Sequence, residues 1–151
     1  MTFPVNGYVQ GNALAVAASG SAINLETDAF DVSIFTDSAG PGDRDAIETY
    51  DVGDWATANE VTSSATAFSP ATLTAAEVNV GTGLWTFGDS SADLAWSDMT
   101  WTDARGLVVY STTAATDLIV CAVDFGADMP VTAGTFTVTW DTTDKIFKVT
   151  F

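Results

Sequence analysis

The chain reads as all-β: a single antiparallel β-sandwich of jelly-roll-like type over residues 1–151, with at most one short helix. Three observations predict this. Apolar and polar residues alternate over several short runs, most clearly toward the C-terminus. Clusters of Gly, Asp, Asn and Ser separate those runs, giving the spacing of many short strands joined by turns. Hydrophobic residues make up 47% of the chain and are spread along it, so 151 residues have the material for one core. Disorder needs low hydrophobicity together with high charge, and only the charge condition is met.

Two readings stand for residues 1–12, where Phe3, Pro4, Val5 and Tyr8 are apolar among Gly, Asn and Gln. One is an N-terminal arm that orders against a neighbouring subunit, with Phe3, Pro4 and Tyr8 as contacts. The other is a first strand along a sheet edge. Strand candidates follow at Val32–Thr36, Glu60–Ser64, Leu84–Phe87 and Leu94–Trp101. Between the first two, Ser38–Gly42 is a flexible loop, and Asp43-Arg44-Asp45 can cap a short helix over Ala46–Tyr50. Gly53 keeps that helix brief. Trp55 lies in a polar loop, where it either packs over the loop or makes an intersubunit contact. Trp96 and Trp101 have opposite parity, so on a regular strand at least one faces away from the main core.

Gly106–Tyr110 and Leu118–Phe125 are uniformly apolar, as strands covered on both faces are, with Ser111–Thr116 connecting them. Gly126–Pro130 breaks the second, and Ala133-Gly134 opens the next. Thr135–Trp140 alternates strictly, with Phe136, Val138 and Trp140 on one face and threonines on the other. After a turn at Asp141–Asp144, Lys145–Phe151 alternates again, placing Phe147, Val149 and Phe151 inward. Together the last two runs read as a terminal β-hairpin.

Charge and missing residue types narrow the function. The chain carries 20 acidic and 4 basic residues, a net charge of −16. Nucleic acid is held by neutralising phosphates, and Arg44, Arg105, Lys145 and Lys148 are too few and too scattered for that or for an anionic membrane surface. The acidity suits either a crowded surface kept apart by repulsion or the protein of a salt-adapted host. No apolar stretch approaches the ~20 residues that span a bilayer. Met1-Thr2-Phe3-Pro4 has neither the basic region nor the apolar core of a signal peptide, so synthesis in a cytoplasm is expected.

There is no histidine, which removes Ser-His-Asp and Cys-His catalysis and the commonest transition-metal ligand. Cys121 is the one cysteine; it sits in an apolar run and suits a small buried hydrophobe. Gly81-Thr82-Gly83 lacks the length and the lysine of a phosphate loop. Carboxylate chemistry survives, either as a hydrolytic pair or as calcium ligands. The closest groupings are Asp28 with Asp31, Asp43 with Asp45, and Asp141 with Asp144, none at EF-hand spacing. The expectation is a non-enzymatic chain without a cofactor.

The last third resembles a group of small uncharacterised bacteriophage structural proteins. The likeness rests on Gly106-Leu107-Val108-Val109-Tyr110, Val123-Asp124-Phe125-Gly126 and Gly134-Thr135-Phe136-Thr137-Val138-Thr139-Trp140, in that order. Phe30–Phe35 and Ala46–Val52 match more weakly. The resemblance implies a virion protein made in a bacterial cytoplasm, and within the virion a head decoration or cement protein. Such a protein sits on the outer capsid, binds the major capsid protein and forms homo-oligomers, trimers foremost. A tail or fibre component that binds host-surface glycan through Trp55 or Trp85 is the alternative, and a head–tail joining or tail-tube subunit the next.

Overall fold

The computed structural model describes residues 8–9, 23–25, 27–39, 49–73, 76–81, 84–89, 93–113, 117–140 and 146–150. Over these residues the chain is all-β, its strands pair antiparallel, and the helical content is two single 3-10 turns, Gly53–Trp55 and Thr57–Asn59. The helix expected at Ala46–Tyr50 falls largely outside the described residues.

Among the described residues, ten strands form three sheets. In the five-stranded sheet, β1 (Tyr8–Val9), β8 (Ile119–Asp124), β7 (Gly106–Ser111), β2 (Phe30–Phe35) and β3 (Ala71–Thr72) lie side by side in that order. The three-stranded sheet runs β10 (Phe147–Thr150), β5 (Leu84–Asp89), β4 (Ala76–Gly81), and a two-stranded ribbon pairs β6 (Leu94–Trp101) with β9 (Val131–Val138). One hydrophobic cluster draws on all three sheets: Phe30, Val32, Leu107 and Val109 from the first, Phe87 from the second, Trp96 and Trp101 from the third. Phe30 meets Phe87 edge-on, with ring centroids 5.2 Å apart.

The central sheet is covered on both faces. All six residues of β7 are buried, as a uniformly apolar run demands. Alternation along β2 and β7 sends Phe30, Val32, Ile34, Leu107 and Val109 to the main cluster, and Phe35, Val108 and Tyr110 to a second one on the opposite face. A register shift between Val109 and Tyr110 inserts one extra β8 residue there. Val120 and Cys121 consequently share the main face while Ile119 and Ala122 share the other. Cys121 is the buried small hydrophobe that its apolar run suggests, its thiol pushed up to about 12 by burial.

Four sequence expectations need correction. First, the terminal hairpin is absent among the described residues: β9 pairs with β6 and β10 with β5, in different sheets. Alternation specifies which face a side chain takes and says nothing of which strand lies alongside. Second, Glu60–Ser64 forms no strand. Glu60 makes one isolated bridge to Phe35, and Ser63 and Ser64 instead bond the backbone of Thr100. Third, Trp96 and Trp101 both point into the main core, 5% and 3% exposed. Asp98 takes a left-handed conformation (φ 58°) within register shifts that run from Trp96 to Trp101, and the bulge restores both tryptophans to one face. Fourth, β4 lies in a segment that carries no strand expectation. Its register with β5 leaves only residues 82–83 between the two strands.

Candidate functional site

The second face of the five-stranded sheet brings aromatic rings together with a hydrogen-bonded carboxylate, hydroxyl and phenol. It is roofed by the segment that follows β2. That segment is tied down at both ends: Thr36 N–H donates to Asn59 C=O and Val61 N–H to Ile34 C=O, while Thr49 bridges Leu118 and Tyr50 N–H donates to Asp117 C=O. Between these ties the chain turns through the two 3-10 turns. Asp51, at φ 61°, accepts bonds from Thr57 N–H (3.1 Å) and Thr57 Oγ1 (2.9 Å). Those bonds hold the exposed Asp51 carboxyl below the usual carboxylate range.

Trp55 hangs from this roof into the second cluster. Its ring meets Phe35 edge-on at 5.4 Å and is 1% exposed. Of the two roles open to Trp55, the structure shows packing under its own loop. Its ring presents no surface to a partner or a sugar. Tyr50 stacks flat on Tyr110, with centroids 3.9 Å apart and planes 4° from parallel, and meets Phe35 edge-on.

One carboxylate organises the polar side. Glu60 Oε1 accepts from the hydroxyl of Ser33, which is fully buried in β2, and from Tyr50 Oη at 2.7 Å. Burial raises the Tyr50 phenol well above its ordinary range, and the hydrogen bond and charge of Glu60 raise it further. Tyr110 is also raised, chiefly by burial; hydrogen bonding with Tyr50 opposes the shift, and the charges of Asp31, Glu60 and Asp117 add to it. Both phenols stay protonated at neutral pH, and that of Tyr50 donates to Glu60. The arrangement acts as a latch: a charged acceptor on the roof holds a serine of the sheet and a tyrosine stacked upon it.

Two further acids, Asp28 and Asp124, are held by hydrogen bonds. Asp28 Oδ2 accepts from Asn24 N–H (2.9 Å) and Ser111 Oγ (3.2 Å), and the neighbouring Asp31 lies half-buried in β2. Asp124 Oδ1 pairs with Arg105 Nε at 3.2 Å and accepts the Gly126 N–H at 2.8 Å, where Gly126 takes φ 80°. Such a left-handed position favours glycine. Asp124 Oδ2 is buried without a hydrogen-bond partner among the described residues. No group of three or more His, Cys, Asp or Glu among the described residues is placed to hold a metal. The calcium pairings Asp43 with Asp45 and Asp141 with Asp144 lie outside them.

Among the other interface residues, Phe3 and Pro4 lie outside the described residues. Tyr8 belongs to β1, where its backbone partners Ala122 at the edge of β8. The rest of residues 1–12, on which the arm and edge-strand readings turn, lies outside the described residues. Sequence reasoning missed Ser33, Tyr50, Glu60 and Tyr110. The one local signal is Ser33, a small polar residue between the apolar Val32 and Ile34. Known protein families, curated proteins and solved structures were all compared with the chain, and none matches.

Proposed function

We propose that the chain is a structural protein of a bacteriophage virion: a decoration protein that seats on the outer capsid, self-associates and reinforces contacts between copies of the major capsid protein. The observation that carries this reading is where the phage-like segments fall. Gly106–Tyr110 lies on β7, Val123–Gly126 at the end of β8, and Gly134–Trp140 on and just after β9. All three are scaffold. The polar members of the middle segment, Asp124 and Gly126, form the turn that ties the end of β8 to Arg105.

The disposition of the other groups supports the same reading. The second face of the sheet uses its carboxylate and phenols to fasten a loop. Asp37, Asp51, Asp93, Asp98, Asp103 and Asp128 are exposed, so the outer surface is acidic, and such a surface keeps crowded copies apart. The glycan-binding tail alternative loses Trp55, whose ring is too buried to stack on a sugar.

Immunogold electron microscopy of particles of the virus that encodes the chain tests the proposal. Label spread over the head is the expected result. Label confined to the tail would move the chain to the tail-component reading, and unlabelled particles would remove it from the virion altogether.

A further inference from the structure

Carboxylates converge on the second face from both the sheet and the roof. Alternation along β2 sends Asp31, Ser33 and Phe35 to this face, and Asp31 stands in register beside Tyr110. Asp117 lies just before β8, where its C=O accepts the Tyr50 N–H. The roof adds Glu60, bonded to Tyr50 Oη, and carries Asp51 and Asp54 on the same short stretch. The charges of Asp31, Glu60 and Asp117 all act on the Tyr110 phenol, on which the Tyr50 ring is stacked. The ion pairs among the described residues are both made by Arg105, which precedes β7 and so stands at its other end from Tyr110.

Two electrostatic effects therefore oppose each other at the roof. Glu60 holds Ser33 and Tyr50 through hydrogen bonds at contact, and salt weakens these little. Its charge also meets those of Asp31 and Asp117. All three carboxylates are partly exposed, so this longer-range repulsion runs partly through water and falls as salt rises. The roof can answer by itself, because it is a loop laid on the sheet and fastened by hydrogen bonds at its ends. We propose that the roof is a lid governed by ionic strength: carboxylate repulsion lifts it from the second face in dilute salt, and concentrated salt closes it, while the strands stay folded. Diffuse screening is the agent, since no three acidic groups among the described residues are placed to hold a metal. The inference does not rest on the virion reading.

Amide exchange of the whole chain at fixed pH tests it, with sodium chloride raised from ~0.01 M to ~1 M. Over that range the screening length falls from ~30 Å to ~3 Å. The Tyr50, Trp55 and Val61 amides, which donate to Asp117, Val52 and Ile34, should slow about fivefold relative to those of β7. Asp31→Asn with Asp117→Asn should slow them already in dilute salt and leave little for salt to add. Asp93→Asn with Asp98→Asn, at the ribbon that packs on the other face of the sheet, reaches the same net charge (−16 + 2 = −14). It should keep the wild-type response to salt. Calcium chloride at equal ionic strength should act no more strongly than sodium chloride. Roof amides that ignore salt, or that slow only as much as those of β7, would overturn the proposal. Matching salt responses in the two double variants, or a calcium effect well beyond that of sodium, would overturn it too. None of these results bears on where gold label falls on the particle.

Discussion

The two faces of the central sheet are covered by different means. On the main face, side chains from three sheets interlock: Phe30 and Phe87 meet edge-on across sheets, with Leu107, Val109, Trp96 and Trp101 around them. On the second face the cover is a loop, and Trp55, the Tyr50–Tyr110 stack and the Glu60 hydrogen bonds hold it there. Interlocked strands can shift only together, so a defect among them falls on the whole fold. A loop can move by itself. The difference teaches that a buried aromatic residue need not carry the same share of stability on both sides of one sheet.

The largest effect should follow truncation on the main face. Phe30→Ala removes a fully buried ring from a site walled by strands, so the cavity cannot close, and a loss of about 3–5 kcal/mol is expected from denaturant unfolding. Trp55→Ala removes a larger ring, yet the loop above can settle into the space. Its cost should lie below that of Phe30→Ala, and limited proteolysis should cut within residues 49–60 while the strands resist. Equal unfolding costs, with no new cleavage in the loop, would break the comparison.

A smaller effect should follow from the latch. Glu60→Ala leaves the buried Ser33 hydroxyl and the Tyr50 phenol without their acceptor, at a cost of about 1–3 kcal/mol. Glu60→Gln keeps a neutral acceptor and should lose less. The ordering of the three proteins by unfolding midpoint is the check. If Glu60→Gln is as unstable as Glu60→Ala, charge rather than hydrogen bonding holds the loop.

How much of this is legible in the sequence depends on the range of the interaction. Strand character is local, and alternation or unbroken apolarity marks β2 and β5 to β10. Partnership is not local: Thr135–Trp140 and Lys145–Phe151 are consecutive alternating runs, yet β9 and β10 enter different sheets. The inward turn of both Trp96 and Trp101 depends on one left-handed residue, Asp98, which no hydrophobic pattern announces. The candidate site is the least legible part. Ser33, Glu60 and Tyr110 stand far apart in the chain, and Tyr50 and Trp55 lie in stretches that read as helix and polar loop. Only the folded sheet brings them together.

The smallest effect at neutral pH, and one that grows only in alkali, should also separate the two faces. Tyr50 and Tyr110 both have phenols raised above the ordinary value of 10.0, by burial first. A group that holds its proton more tightly when folded contributes stability that is fully present below its unfolded pKa. As pH climbs past about 10, the unfolded chain ionises first and each further step favours unfolding. The Cys121 thiol on the main face acts in the same direction from 9.0 upward, toward its folded value of about 12. Absorbance titration should therefore show two of the three tyrosines refusing to ionise until the chain unfolds. Tyr50→Phe removes the phenol nearest Glu60, so its alkaline loss of stability should be shallower than that of the wild type. Cys121→Ala, a change on the opposite face, should remove only the part that begins near 9.0. If instead Tyr50 and Tyr110 titrate freely in the folded chain, the roof over the second face opens in solution, and the latch does not hold.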